Sequence, residues 1–131
     1  MVMISDKELI QKARVVTGRR KVSPGFQYGD VGCALITDKN NVYVGCSIDT
    51  SCSLGFCAEH SAIAAMVTQG EHRIKKIVAI KDNGIIIPPC GRCRELMYQI
   101  NGKNRDIVVI IGKNKKVFLR KLLPEPWFKN F

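Results

Sequence analysis

Phe56-Cys57-Ala58-Glu59-His60-Ser61-Ala62-Ile63-Ala64-Ala65-Met66-Val67 is rich in alanine and free of glycine and proline. It is therefore predicted to be helical from its cysteine onward, with Gly70 as the stop. About thirty residues later Pro88-Pro89-Cys90-Gly91-Arg92-Cys93-Arg94 ends an apolar run and opens a second predicted helix, Gly91 to Ile100. Around these two helices lie strand-like runs at Val31–Thr37, Val42–Ile48, Ile74–Lys81, Asp106–Ile111 and Lys116–Phe118, with turns at 38–41 and 112–115 and an Asn83-Gly84 turn signal. Ser5 and Glu8 form an S-x-x-E capping box, so a further helix is expected from Asp6 to about Val16. Residues 17–30, dense in glycine, proline and charge, read as a loop. Helices that alternate with strands imply crossovers. The expected fold class is α/β, a three-layer α/β/α sandwich around a mixed five-stranded sheet.

Size and composition narrow the field. A chain of 131 residues, 46% apolar, fits one domain spanning 1–131. Its apolar runs are far too short to cross a membrane, and Met1–Lys12 lacks a signal-peptide core. A cytoplasmic protein is the expectation. In that compartment six cysteines are not a disulfide framework but core thiols, redox groups or metal ligands. Cys33 and Cys46, inside strand-like runs, read as small core residues. Cys52 lies in a loop. The net charge of +10 raises the question of nucleic acid. The basic residues are scattered, however, and the 7% of aromatics do not interleave with them as in a stacking groove. Nucleic acid is not the expected partner.

The chemistry lies at the two helix starts. C-x-x-C at a helix start turns Cys90 and Cys93 toward one point, and Cys57 opens the other helix. Helix N-termini favour thiolates, and thiolates bind zinc. One Zn2+ held by Cys57, Cys90 and Cys93 would keep a fourth position for water and lower that water's pKa. Glu59, two residues from a ligand but not itself one, is placed to move the protons. A ligand, one residue, Glu, then P-C-x-x-C is the signature of the zinc deaminases. Three thiolates crowd the metal with negative charge, and His60, Arg92 and Arg94 are the candidates to offset it. Ala58 at the helix start and Pro88, whose carbonyl can accept from an exocyclic amino group, are candidate substrate contacts.

These residues carry a family resemblance. Val31-Gly32-Cys33-Ala34-Leu35, Gly45, Phe56-Cys57-Ala58-Glu59, Pro89-Cys90-Gly91-Arg92-Cys93-Arg94 and Leu122-Leu123-Pro124 resemble the short cytidine deaminases and the related blasticidin-S deaminases, in order and over most of the chain. The resemblance implies a homotetramer whose subunits complete one another's sites, and conversion of a cytosine-type nucleoside, or an analogue such as blasticidin S, to the uracil-type product with release of ammonia. It also marks departures. Ser47 and Asp49 stand where the family binds ribose with Asn and Glu, Gly29 stands where it stacks a Phe on the base, and His60 replaces an Arg. The tail Trp127-Phe128 looks more like the blasticidin branch, making Trp127 a candidate substrate contact; Phe131 is weighed with it as a cover or a tail anchor.

Two other readings are open to the same residues. Cys57, His60, Cys90 and Cys93 would make a closed structural Cys3His zinc site, with Glu59 an ordinary helix residue. A deaminase acting on RNA or DNA would use the same zinc chemistry and put the positive charge to work.

Overall fold

A twelve-residue strand, β2 (Phe26–Thr37), forms the spine of the protein in a computed structural model that describes residues 4–129. It pairs antiparallel with β3 (Val42–Thr50) through the turn at 38–41, with β1 (Arg20–Ser23), and with β4 (Ile74–Lys81). A strand has two hydrogen-bonding edges. Phe26–Tyr28 pairs with both β1 and β3, and Gly32–Ile36 with both β3 and β4, so β1 and β4 share one edge of β2 end to end. By the same reasoning β5 (Ile86–Ile87) and β6 (Val108–Gly112) share the far edge of β4. β4 and β6 run parallel, and β7 (Lys115–Phe118) closes the sheet antiparallel to β6. The expected five strands form the body of a mixed sheet, to which β1 and β5 are short additions.

β1 and the first residues of β2 fall in the stretch read as a loop. All four β1 residues are exposed. A strand with no buried face shows no alternation of apolar and polar residues, so its period is invisible in the sequence.

The side chains of β2 alternate between two cores. Cys33 and Leu35 pack with Ala62, Ile63 and Met66 of α2 (Ala58–Thr68) and Cys93 and Met97 of α3 (Gly91–Ile100). Ala34 and Ile36 face Leu9 and Ala13 of α1 (Asp6–Val15) on the other side. The sandwich is therefore three layers deep, with α2 and α3 together on one face. Each fully buried Leu, Ile or Met stabilises it by roughly 1.5–3 kcal/mol. α1 starts at the expected box: Ser5 Oγ accepts from the Glu8 backbone N–H at 3.1 Å, and Glu8 Oε1 accepts from the Ser5 N–H at 3.3 Å.

Two details fix α2 and α3 relative to the sheet. A Cβ on Gly45 would lie 2.4 Å from the Ala62 nitrogen and 2.5 Å from Ser61 Cβ, so glycine lets α2 lie directly on β3. Buried Asn104, in the connection after α3, accepts from the Ile74 N–H at 2.9 Å and donates to the Met97 and His72 carbonyls. It ties the end of α3 to the start of β4. A short α4 (Leu119–Leu122) follows β7. Among the described residues no helix is long and apolar enough to cross a membrane.

Candidate metal centre

Cys57 is the N-cap of α2 and Cys90 the N-cap of α3, both with extended backbone, and neither side chain caps its own helix. The sulfurs are thus left to face each other. Cys57 Sγ and Cys90 Sγ lie 3.4 Å apart, and with Cys93, in the first turn of α3, all three sulfurs fall within 4.8 Å of one another. Tetrahedral zinc with Zn–S bonds near 2.3 Å asks for sulfur separations of about 3.8 Å. The cluster fits that ion.

His60 lies outside the cluster. Its Nδ1 is 3.2 Å from an Arg92 guanidinium nitrogen, and its ring packs on Phe56 with centroids 4.6 Å apart. Among the described residues the cluster holds three ligand side chains and no fourth. That is the open arrangement of a catalytic zinc rather than the closed one of a structural zinc.

Of the three thiols only Cys90 behaves as a helix start predicts. Burial works against its charge, but a hydrogen bond from the Cys93 backbone N–H, together with the Cys57 and Cys93 thiols, brings it below the ordinary value. Burial pushes the Cys57 thiol up, reinforced by Cys90, and pushes Cys93 far up, reinforced by the charge of Glu59. The expectation that helix starts favour thiolates is met at Cys90 alone, which accepts a backbone N–H bond, whereas at Cys57 and Cys93 desolvation is the largest influence.

Glu59, only 4% exposed, sits in the first turn of α2. Burial raises its carboxyl above the ordinary value, opposed by its own backbone N–H. It faces a cleft of about 740 Å³. Ser47, Asp49, Ala58, Pro88, Cys57 and Cys90 line the same cleft. Ser47 is buried and its Oγ accepts from the Val31 N–H at 3.0 Å, so it also holds the irregular part of β2 where pairing shifts between Tyr28 and Gly32.

The remaining candidates are placed differently. Arg92 lines the cleft. Arg94 instead donates to the Pro89 carbonyl at 2.7 Å and the Leu122 carbonyl at 3.1 Å, fixing the chain before α3 and the last residue of α4. Trp127 is not brought to the cleft of its own chain: it is 82% exposed, and its backbone N–H donates to Glu95 of α3 at 2.7 Å. Phe131 lies outside the described residues. Gly29 has φ +91°, and a Cβ there would meet the Gly18 carbonyl oxygen at 2.2 Å, so this backbone has no room for an aromatic side chain. Asp30 and Lys81 also line the cleft, and the sequence singled out neither of them. Their signal lies in the pairing of β2 with β4, which no local pattern encodes.

The comparisons with known proteins agree with this geometry. The family model for the cytidine and deoxycytidylate deaminase zinc-binding region matches residues 3–111. A cytidine deaminase of Mycobacterium tuberculosis is 32% identical over 73 residues, 55% of either chain, so the match spans about half of that relative's length. A blasticidin-S deaminase of Bacillus cereus is 28% identical over 109 residues, 76% of this chain and 78% of that one. The crystal structure of cytidine deaminase from Mycobacterium tuberculosis superposes with a TM-score of 0.80 at 23% identity, covering 96% of this chain and 99% of the other, a likeness of fold.

Proposed function

The chain belongs to the cytidine and deoxycytidylate deaminase family, and from that premise we propose that it is a zinc-dependent hydrolytic deaminase of a cytosine-type nucleoside or close analogue. The observation that carries the reading is the buried Glu59 carboxyl beside an open cluster of three sulfurs, in one cleft. Cys57, Cys90 and Cys93 would hold the zinc, which when bound supplies Lewis acidity and lowers the pKa of a water at the open position.

The chain's own residues do the rest. Glu59 takes the attacking water's proton and delivers it to the ring nitrogen beside the amino-bearing carbon. It then carries the second proton to the departing amine, so that substrate and water give the uracil-type product and ammonia. The Pro88 carbonyl accepts from the amino group, and the free backbone N–H groups at the start of α2, that of Ala58 among them, face the ring. Ser47 and Asp49 bind the sugar hydroxyls. Residues 1–131 act as one deaminase domain, assembled as a homotetramer in which Trp127 serves a neighbouring subunit, and the setting is cytoplasmic pyrimidine salvage.

The test is ammonia release by the zinc-loaded protein from cytidine, deoxycytidine, cytosine, methylated cytidine and blasticidin S. Turnover on one of these, lost in Glu59→Ala, is the expected result. A folded, zinc-containing sample silent on all five would sink the reading.

A further inference from the structure

The cleft contains a cation that the deamination chemistry leaves unused. Lys81 is the last residue of β4, where its position is fixed twice: it is the partner of Val31 on β2, and its backbone N–H donates to the Ile85 carbonyl at 2.9 Å. Its side chain lines the cleft and is exposed there. Among the described residues it makes no ion pair. The cleft carboxylate of Asp30 is engaged elsewhere, by Arg19 Nε at 3.4 Å and by Gln27 at 3.5 Å. Arg92, in the first turn of α3, adds a second positive charge to the cleft from the opposite wall, held toward His60. A neutral nucleoside offers neither cation a partner. The chain as a whole carries a formal charge of +10, which draws anions toward it.

We propose that Lys81 is a specificity-determining residue that binds an anionic group, a phosphate monoester or a carboxylate, attached to the sugar side of the amino-pyrimidine. This rests on the deaminase reading above and deepens it. The matching family covers cytidine and deoxycytidylate, a neutral and an anionic substrate, and of the two only the anionic kind gives the Lys81 ammonium a partner in the cleft. A charge-assisted hydrogen bond from the ammonium group holds the anion, while Asp49, exposed on the same cleft wall, disfavours its binding at the far end of the sugar by like-charge repulsion.

The experiment compares cytidine, cytidine 5′-monophosphate and the 5′-carboxylate analogue of cytidine as substrates of wild type, Lys81→Ala and Lys81→Glu, at low and high salt. For wild type, KM for one of the two anions is expected to be about tenfold below that for cytidine, with the gap narrowing in salt. Whichever anion shows it identifies the group. In Lys81→Ala that advantage disappears through KM rather than kcat, and in Lys81→Glu it reverses. Preference for cytidine over both anions in wild type, or a preference that survives in Lys81→Ala, overturns the proposal. Should no compound be turned over, the deaminase reading fails by itself, and calorimetry with uridine and uridine 5′-monophosphate still tests the subsite. Tighter binding of the monophosphate, lost in Lys81→Ala, supports it, and equal affinities overturn it. Because Lys81 is an exposed strand-end side chain, both variants keep the fold, which unfolding curves verify.

Discussion

One wall of the cleft is made of helix starts and the other of strand ends and an irregular loop, and they differ in nearly every physical respect. Cys57, Glu59, Cys90 and Cys93 occupy the cap or first turn of α2 and α3, where backbone geometry sets their directions and Glu59 and Cys93 are buried. Asp49 and Lys81 are exposed on strands, and Ser53 follows Cys52 in a loop where both non-glycine residues have positive φ, 56° and 60°. A group held by a buried helix start cannot shift without disturbing the core, so the reaction is built into the fold. An exposed side chain on a loop or strand end can change at little cost to stability, so substrate choice is where such a fold varies. Perturbing the two walls should accordingly give different kinds of damage.

The largest effect belongs to Glu59. Glu59→Gln keeps the shape and removes the proton carrier, so kcat should fall by about a thousandfold with zinc content and melting temperature near wild type. A variant retaining a tenth of the activity would break the assignment of chemistry to this wall. Next come the sulfurs, where function and folding are joined. Free zinc at a hundred times its dissociation constant contributes about 2.7 kcal/mol of stability. A chelator should therefore lower the melting temperature of wild type by several degrees and leave that of zinc-free Cys93→Ala unmoved. If both respond alike, the three sulfurs are not where the metal binds.

Gly45 tests whether the helix-start wall depends on the sheet beneath it. With the Ala62 nitrogen 2.4 Å from the Cβ an alanine would carry, Gly45→Ala must push α2 away from β3. A loss of about 1–3 kcal/mol in denaturant unfolding is expected, together with reduced kcat because Cys57 and Glu59 move with the helix. On the other wall Asp49→Ala should raise KM about fivefold, the value of one hydrogen bond worth about 1 kcal/mol at an exposed site, and leave unfolding unchanged. A fall in kcat as large as that of Gly45→Ala would erase the distinction between the walls.

The same contrast explains what could be read in the sequence. The helix-start wall is local: Cys57, Glu59, Cys90 and Cys93 fall in two short motifs whose spacing states their geometry, and the capping box and the buried strands follow the period of their apolar residues. The other wall is assembled from residues far apart in the chain. Asp30 and Lys81 meet only because β2 pairs with β4, and β1 was hidden because a strand exposed on both faces has no pattern. Arg94 and Trp127 show the limit of motif reasoning. The guanidinium beside the sulfurs in sequence is used to hold two carbonyls, and the terminal aromatic is tied by its backbone to Glu95, away from the cleft of its own chain.

The smallest effect lies on the opposite face of the sheet and serves as the control. Asp6 at the start of α1 pairs with Lys116 at 2.9 Å and with Lys76, bridging α1, β4 and β7. Hydrogen bonds from Lys116 and then Lys76 hold its carboxyl below the ordinary value, with burial opposing them. The folded form therefore takes up a proton less readily than the unfolded chain. The stability this gives is complete above the unfolded value near 3.9 and is lost as pH falls through the lower folded value. Both partners are partly exposed, so the contribution is on the order of 0.5–1 kcal/mol. Asp6→Asn should be that much less stable than wild type at pH 7, and the two stability curves should converge in strong acid. Because Asp6 touches neither wall of the cleft, kcat and KM should match wild type at pH 7. A change in KM comparable to that of Asp49→Ala would mean that the far face of the sheet is coupled to the strand-and-loop wall, and selectivity would then depend on the fold as a whole.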